Sequence, residues 1–328
     1  MDRVRSAVVG LGGMGTDWHA ATLNRLPQFD LVAGCDPSEG RRKAVAERFG
    51  MRTYADLTEM LAEPGLELVV VATPNEAHMP SAVEALDAGK HVVVEKPFCL
   101  NLAEFEAMAA AAEANQRVVC AYQNRRWDDW FLTANQVVHS GVLGRLFFIQ
   151  SAGGTLYTSL LEVTWRAQQA HGGGALLDWG AHSIDQFLCL VDHCPVEDVF
   201  ADLRAFNWAG DADDNVVLVL RFANGVVATL QTSWCARAAV SGTAIVGSEG
   251  AFRDGKLYTG EREAIREVAV EEVKGNWDDF YRGMYAAIRE RAPAPVPLDQ
   301  TRVLMEVFDA ARESSRTRQV VRLQGRQA

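Results

Sequence analysis

The sequence predicts an α/β amino-terminal domain built on a doubly wound parallel sheet, spanning 1–122. It predicts an α+β domain with a large, mostly antiparallel open sheet over 123–328. Three observations carry this. The chain has 328 residues, more than one hydrophobic core usually holds. From Ser6 to Ala121 short apolar runs alternate with helical patterns at the spacing of βαβ units. Beyond Arg145 strand-like runs follow one another, separated by turn signals such as Ala223-Asn224-Gly225.

In chain order, Ser6–Gly10 reads as a short buried strand, and a helical pattern runs from Met14 to Leu26. Leu31–Cys35 is the second strand, followed by a helix over Ser38–Phe49, a short segment at Arg52–Tyr54 and a helix over Asp56–Ala62. Glu67–Ala72 is almost wholly apolar, as a strand covered on both faces must be. It ends in Thr73-Pro74-Asn75, and a helix runs from His78 to Ala88. His91–Glu95 is the next strand and ends in Lys96-Pro97. A helix over Asn101–Asn115 and a strand over Val118–Ala121 complete the domain. Ligands of such sheets lie beyond the carboxyl ends of the strands, so Thr73–Asn75, Glu95–Pro97 and Tyr122–Asn124 fall at the expected site.

Between the first strand and helix lies Gly10-Leu-Gly12-Gly-Met14-Gly15, a GxGxxG pattern in the context that gives it meaning. Gly10 permits a tight turn, Gly12 lets backbone amides approach a pyrophosphate, and Gly15 lets helix and strand pack closely. The anion then meets unpaired N–H groups at a helix start. Asp36 closes the second strand 21 residues after Gly15. An acid there accepts from ribose hydroxyls and repels a 2′-phosphate, which favours NAD over NADP. Arg41 and Arg42 follow closely and leave NADP open.

The second domain opens with a helix over Arg125–Ser140 and a strand over Arg145–Gly153. A polar, aromatic loop follows, with Tyr157, Trp165, Arg166 and His171-Gly-Gly-Gly174. Tyr157, Arg166 and His171 are candidate substrate contacts. Gly174–Leu190 then reads as a buried helix interrupted by Asp178, His182 and Asp185 at i, i+4 and i+7, one polar stripe among apolar neighbours. Charge in such surroundings is costly unless paired or used, so the stripe is either a hydrogen-bonded core network or a site that moves protons. Trp179 and Trp277 read as core or interface aromatics rather than sugar-stacking platforms. Strands are expected at Val196–Asn207, Asn215–Phe222, Val226–Trp234, Gly242–Val246, Ala251–Asp254 and Ala264–Val270. Helices over Trp277–Arg291 and Asp299–Arg316 and a strand at Val320–Leu323 close the chain, and the last helix is free to pack back on the first domain.

The formal net charge of −11 argues against a nucleic-acid partner and gives no support to an anionic membrane surface. No apolar run reaches the length of a transmembrane helix, and the amino-terminal apolar run reads as a strand rather than a leader. The six cysteines are scattered without zinc spacing, so no metal is expected and free thiols in a reducing cytoplasm are the simple reading.

Taken together, GLGGMG at Gly10–Gly15, ATPNEAH at Ala72–His78, EKP at Glu95–Pro97, NRRWDDWF at Asn124–Phe131, DWGAHSID at Asp178–Asp185 and FDAARESS at Phe308–Ser315 make a specific pattern. The sequence resembles the Gfo/Idh/MocA family, the glucose–fructose oxidoreductase and inositol dehydrogenase-like enzymes, over nearly its whole length. The resemblance implies that Lys96 is the catalytic lysine, with a commonly cis bond to Pro97. It makes Asp178 and His182 the catalytic pair and Asp185 a substrate ligand. Thr73, Pro74, Asn75 and His78 would line the dinucleotide, alongside Met14, Glu95, Lys96, Pro97 and Asn124. The expected activity is NAD(P)-dependent hydride transfer at a secondary alcohol of a sugar, inositol or related polyol. A homodimer or homotetramer through the carboxyl-terminal sheet is expected. A dinucleotide-binding sensor and an NAD-dependent glycosidase are the competing readings, the latter suggested by the glycine run after His171.

Overall fold

The computed structural model describes residues 2–156, 164–238 and 241–323. The chain divides into two units, Met1–Gln123 with Trp277–Met305 and Asn124–Asn276 with Glu306–Ala328. The expected boundary at 122/123 therefore moves by one residue, whereas Trp277–Met305 changes unit. Its helix Asp278–Arg289 is the reason. Tyr281 is fully buried with its ring 5.7 Å from that of Phe29, Phe280 sets its ring 4.7 Å from that of Tyr122, and Asp278 takes the Arg25 guanidinium at 2.6 and 2.8 Å. The aromatic face of this helix thus completes the first unit's core.

That core surrounds six parallel strands: β1 (Val4–Val9), β2 (Phe29–Cys35), β3 (Arg52–Tyr54), β4 (Leu68–Val71), β5 (His91–Val94) and β6 (Val119–Ala121). Their order is β3-β2-β1-β4-β5-β6. The order reverses between β1 and β4, which pair from Ser6↔Leu68 to Val9↔Val71. Every residue of β4 is buried, as its continuous apolar run requires.

The second unit carries nine strands: β7 (Leu146–Gly154), β8 (Val196–Arg204), β9 (Asn215–Phe222), β10 (Val227–Ser233), β11 (Gly242–Gly247), β12 (Gly250–Arg253), β13 (Lys256–Thr259), β14 (Arg266–Val268) and β15 (Val321–Arg322). They form one sheet in the order β14-β13-β12-β11-β7-β10-β9-β8-β15. All neighbours are antiparallel except β10 and β7, which run parallel. The strand β13 escaped the sequence reading because Asp254-Gly255 starts a tight hairpin inside what reads as a loop. Alternation in β9 buries Val216, Leu218 and Leu220 on one face and leaves Val217 and Arg221 exposed on the other. Among the described residues, no helix is long and apolar enough to cross a membrane.

Backbone packing explains the glycines after His171. Gly174 has φ +115°, and a Cβ there would stand 2.3 Å from Asp213 Oδ1. A Cβ on Gly173 would stand 2.2 Å from the carbonyl oxygen of Arg166. The run is a close-packed approach to the following helix, so it lends no support to glycosidase chemistry. Asp213 caps that helix, accepting the Leu176 amide at 2.8 Å. Burial pushes its carboxyl up to about 6, against the pull of that amide.

Two outcomes follow from this cap. Gly174→Ala is expected to destabilise the chain by ~2–4 kcal/mol, since it combines strained backbone with a clash, and a denaturant titration measures it. For Asp213 the folded chain binds the carboxyl proton more tightly than the unfolded chain does. Its contribution is therefore fully present below the ordinary pKa and is lost as pH rises through about 6. The stability of Asp213→Asn relative to wild type should thus improve between pH 5 and pH 8, by roughly 1–3 kcal/mol. A difference that is flat across that range contradicts the assignment.

Candidate functional site

In the first unit the site begins at the glycine turn. Gly10 has φ +90° and lies so close to β4 that a Cβ would stand 2.4 Å from the Ala72 carbonyl oxygen. Gly15 lies on Gly10 itself, 1.8 Å from its carbonyl oxygen at the Cβ position. A Cβ on Gly12 or Gly13 would meet nothing within 4 Å. Their smallness is therefore not demanded by protein packing, and it leaves the backbone amides approachable, as a pyrophosphate needs. The helix that follows opens with a wide π-type segment, Met14–Ala20, and continues as Ala21–Arg25. Met14 is 45% exposed at its start.

Asp36 is buried at the end of β2. Its Oδ2 accepts the Leu11 amide at 2.9 Å and its Oδ1 the Ser38 amide at 2.8 Å, so the acid also buttresses the glycine turn. Arg41 approaches Oδ2 at 3.4 Å, while Arg42 donates to the carbonyls of Asp36 and Pro37 at 2.7 and 2.9 Å. Both arginines therefore lie against the end of β2 instead of pointing away from it.

Beyond β4, β5 and β6 the predicted loops gather along one edge, because parallel strands that pair in register end together. The bond between Lys96 and Pro97 is cis. Pro74 is exposed and Asn75 buried in the turn after β4. His78, expected to line the dinucleotide, instead clasps two turns, its Nδ1 2.8 Å from the Pro97 carbonyl and its Nε2 3.0 Å from that of Thr73. Burial depresses its basicity, against the hydrogen bond to Pro97, so a neutral ring donates to one carbonyl at a time. Glu95 likewise faces protein: Oε1 meets His19 Nε2 at 2.9 Å, and Oε2 accepts the Lys96 amide at 2.8 Å. Both residues hold the turn that carries Lys96.

Two polar groups at this edge are left over. Thr73 Oγ1 and both amide atoms of Gln123 are buried without a hydrogen-bond partner among the described residues. Leaving such atoms unmet costs about 1–3 kcal/mol each, which a polar ligand or ordered water offsets. With the open glycine turn, they fit a bound dinucleotide. Sequence reading placed Gln123 within Tyr122–Asn124 at the expected site but did not single out its side chain, because glutamine has no motif of its own. It missed His19 because it sits four residues past the fingerprint, on a helix face that reads as ordinary core.

In the second unit, the helix bearing the polar stripe also opens with a π-type segment, Leu176–Gly180, and continues as Ala181–Leu190. Such wide turns occur often at functional sites. Asp178 is half-buried and His182 buried. Trp179 is 39% exposed, which removes it from the core, and its ring meets that of His182 edge-on at 6.1 Å. The Arg125 guanidinium lies 4.6 Å from the Trp179 ring centre.

Asp185, expected to bind substrate, is held instead by Arg126, whose Nε and Nη2 reach its two oxygens at 2.8 and 2.6 Å. Both side chains are almost wholly buried, and this pairing satisfies the carboxylate. Asp185 thus belongs to a core ion pair, whereas His182 and Asp178 lie one and two turns earlier on the same stripe. Arg166 is exposed with its guanidinium 4.3 Å from the Trp165 ring centre, and His171 ends the short turn Gln169–His171. Tyr157 lies outside the described residues. Asn124 is buried at the start of the second unit, and Trp277 sets its ring 4.6 Å from that of Trp18 in the first.

Comparison with known proteins agrees with this arrangement. Residues 4–123 match the model of the oxidoreductase family with the NAD-binding Rossmann fold, and residues 131–253 match the GFO/IDH/MocA carboxyl-terminal domain. A myo-inositol 2-dehydrogenase of Thermotoga maritima is 30% identical over 70% of this chain and 68% of its own length. A scyllo-inositol 2-dehydrogenase (NADP(+)) of Bacillus subtilis is 26% identical over 99% of this chain and 97% of its own. The solved structure of GenD2 from gentamicin A biosynthesis, in complex with NAD, superposes with a TM-score of 0.85 at 28% identity, covering 99% of this chain and 97% of that one. With both family domains matched in order and the glycine turn built for a dinucleotide, the chain belongs to the Gfo/Idh/MocA family and is an NAD(P)-dependent oxidoreductase of CH–OH groups.

Proposed function

We propose that this enzyme oxidises a secondary alcohol of a cyclic polyol, an inositol or a sugar, or reduces the matching ketone. The observation that carries this reading is Lys96, a cation at the carboxyl end of β5 with its turn held by Glu95 and His78. The inositol dehydrogenases among its relatives support the substrate class.

The bound nicotinamide supplies the hydride acceptor or donor. Gly12 and Gly13 would hold the pyrophosphate, and Thr73 and Gln123 the ligand groups near the strand ends. The protein handles the oxygen and the proton. An alcohol is a far weaker acid than imidazolium, so a base alone does not suffice. Lys96 donates a hydrogen bond to the substrate oxygen and stabilises the developing alkoxide. His182 takes the proton, and Asp178, one turn earlier, orients the imidazole and stabilises its charged form. In reduction the proton returns from His182.

NAD is the proposed cofactor, because the Asp36 carboxylate disfavours a 2′-phosphate, and Arg41 beside it allows some use of NADP. A second copy of the chain is the proposed partner of the outer face of the second sheet, where Phe200, Val217, Val219 and Val227 share one side. Among the described residues, no feature favours the sensor or glycosidase readings.

Spectrophotometric NADH formation should appear with at least one inositol or pyranose. Lys96→Ala and His182→Ala should each lower kcat by about 10²–10⁴ while NADH binding, read by fluorescence, persists. Full turnover in both variants contradicts the assignment. Trp179→Ala should raise KM for the polyol by about tenfold with little change in KM for NAD, as expected for an exposed ring beside the base. Arg41→Ala should reduce activity with NADP more than with NAD; equal losses would show that Arg41 does not read the 2′ position.

A further inference from the structure

The helix that starts at the glycine turn sends two side chains toward the strand ends. Trp18 Nε1 donates to the Tyr122 hydroxyl at 2.5 Å. His19, fully buried, is hydrogen-bonded through Nδ1 to the Tyr281 hydroxyl at 2.5 Å and through Nε2 to Glu95 at 2.9 Å. The second oxygen of Glu95 accepts the amide of Lys96 at 2.8 Å. One carboxylate therefore spans from the pyrophosphate-binding helix to the peptide of the lysine. The Tyr122 ring packs edge-on against the imidazole with centres 4.6 Å apart, so His19 has little freedom to turn.

A buried carboxylate is an awkward choice for stability, since an apolar group of the same shape often serves as well. What it provides here is direction. Its two oxygens are used by different elements, and its charge is set beside Lys96. Burial alone would keep the carboxyl protonated; the hydrogen bond and charge of His19, then the charge and amide of Lys96, outweigh burial and keep it ionised.

We propose that His19 and Glu95 are positioning residues for Lys96, fixing the lysine's backbone to the helix that begins at the glycine turn so that its ammonium group meets the substrate oxygen in register with the bound dinucleotide. The inference rests on the reading of Lys96 as the group that stabilises the alkoxide. It assigns a function to a fully buried histidine, and it makes Glu95 the link between the helix at the glycine turn and the lysine.

The test is a variant series in the full-length enzyme: Glu95→Gln, His19→Gln, their combination, and Tyr281→Phe. Steady-state kinetics, NADH affinity by fluorescence and thermal midpoints are measured for each. Glu95→Gln and His19→Gln should each lower kcat by about 10–100-fold with KM for NAD and NADH affinity changed less than about threefold. The combination should be no slower than about twofold below the worse single variant, because the two side chains act as one unit. A merely structural role would lower NADH affinity and thermal stability along with kcat. Tyr281→Phe, which deletes one hydroxyl and keeps the ring packing, should lower kcat by about 3–10-fold and serves if a charged-residue variant fails to fold.

The proposal is overturned if folded variants keep wild-type kcat. It is also overturned if loss of kcat is matched by loss of NADH affinity and thermal stability. Wild-type turnover in Lys96→Ala would instead remove the reading of Lys96 itself, whatever the His19 and Glu95 variants do.

Discussion

A side-chain carbon at Gly15 would stand 1.8 Å from the carbonyl oxygen of Gly10, and one at Gly10 would stand 2.4 Å from that of Ala72. This contact among three backbone segments sets the first unit. It brings the start of a helix against the ends of β1 and β4, where the sheet order reverses. The helix then carries Trp18 and His19 to Tyr122 and Glu95, and Glu95 in turn holds the amide of Lys96. Any residue larger than glycine at either position pushes the helix away and breaks that chain at its first link.

The polar residues of the two units follow one rule. Among the described residues, acids in apolar surroundings are held by fixed partners. Asp36 is taken by two amides, Asp185 by Arg126, Glu95 by His19 and an amide, and Asp213 by the amide of Leu176. Asp213 is the least comfortable of these, with its carboxyl pushed up by burial. Buried charges of this kind contribute little net stability, and their value lies in the geometry they impose.

Parts of the site were legible in the residues for definite reasons. The glycine spacing is legible because only glycine tolerates those approaches, and Lys96 because a strand of continuous apolar residues points to the edge where it ends. The polar stripe from Asp178 to Asp185 stands out because helical periodicity is local. What periodicity cannot say is which acid of the stripe is already satisfied. Arg126 lies 59 residues before Asp185 in the sequence, so the pairing depends on how separate elements pack. The same holds for the clasp of His78 on Pro97 and Thr73 and for the reach of His19 to Glu95.

By itself the sequence determined the fold class, the family, the dinucleotide turn and the identity of the lysine and histidine candidates, because each depends on residue type at short spacing. Tertiary structure alone decided that Trp277–Met305 completes the first unit's core, that Asp185, Glu95 and His78 face protein partners, and that Trp179 lies open beside His182. The physical reason is that hydrogen-bond satisfaction and exposure are settled by long-range packing, to which neighbours in sequence contribute little. The helix that carries Asp178, His182 and Asp185 shows both sides: its stripe was written in the sequence, and the ion pair that takes Asp185 was settled by Arg126.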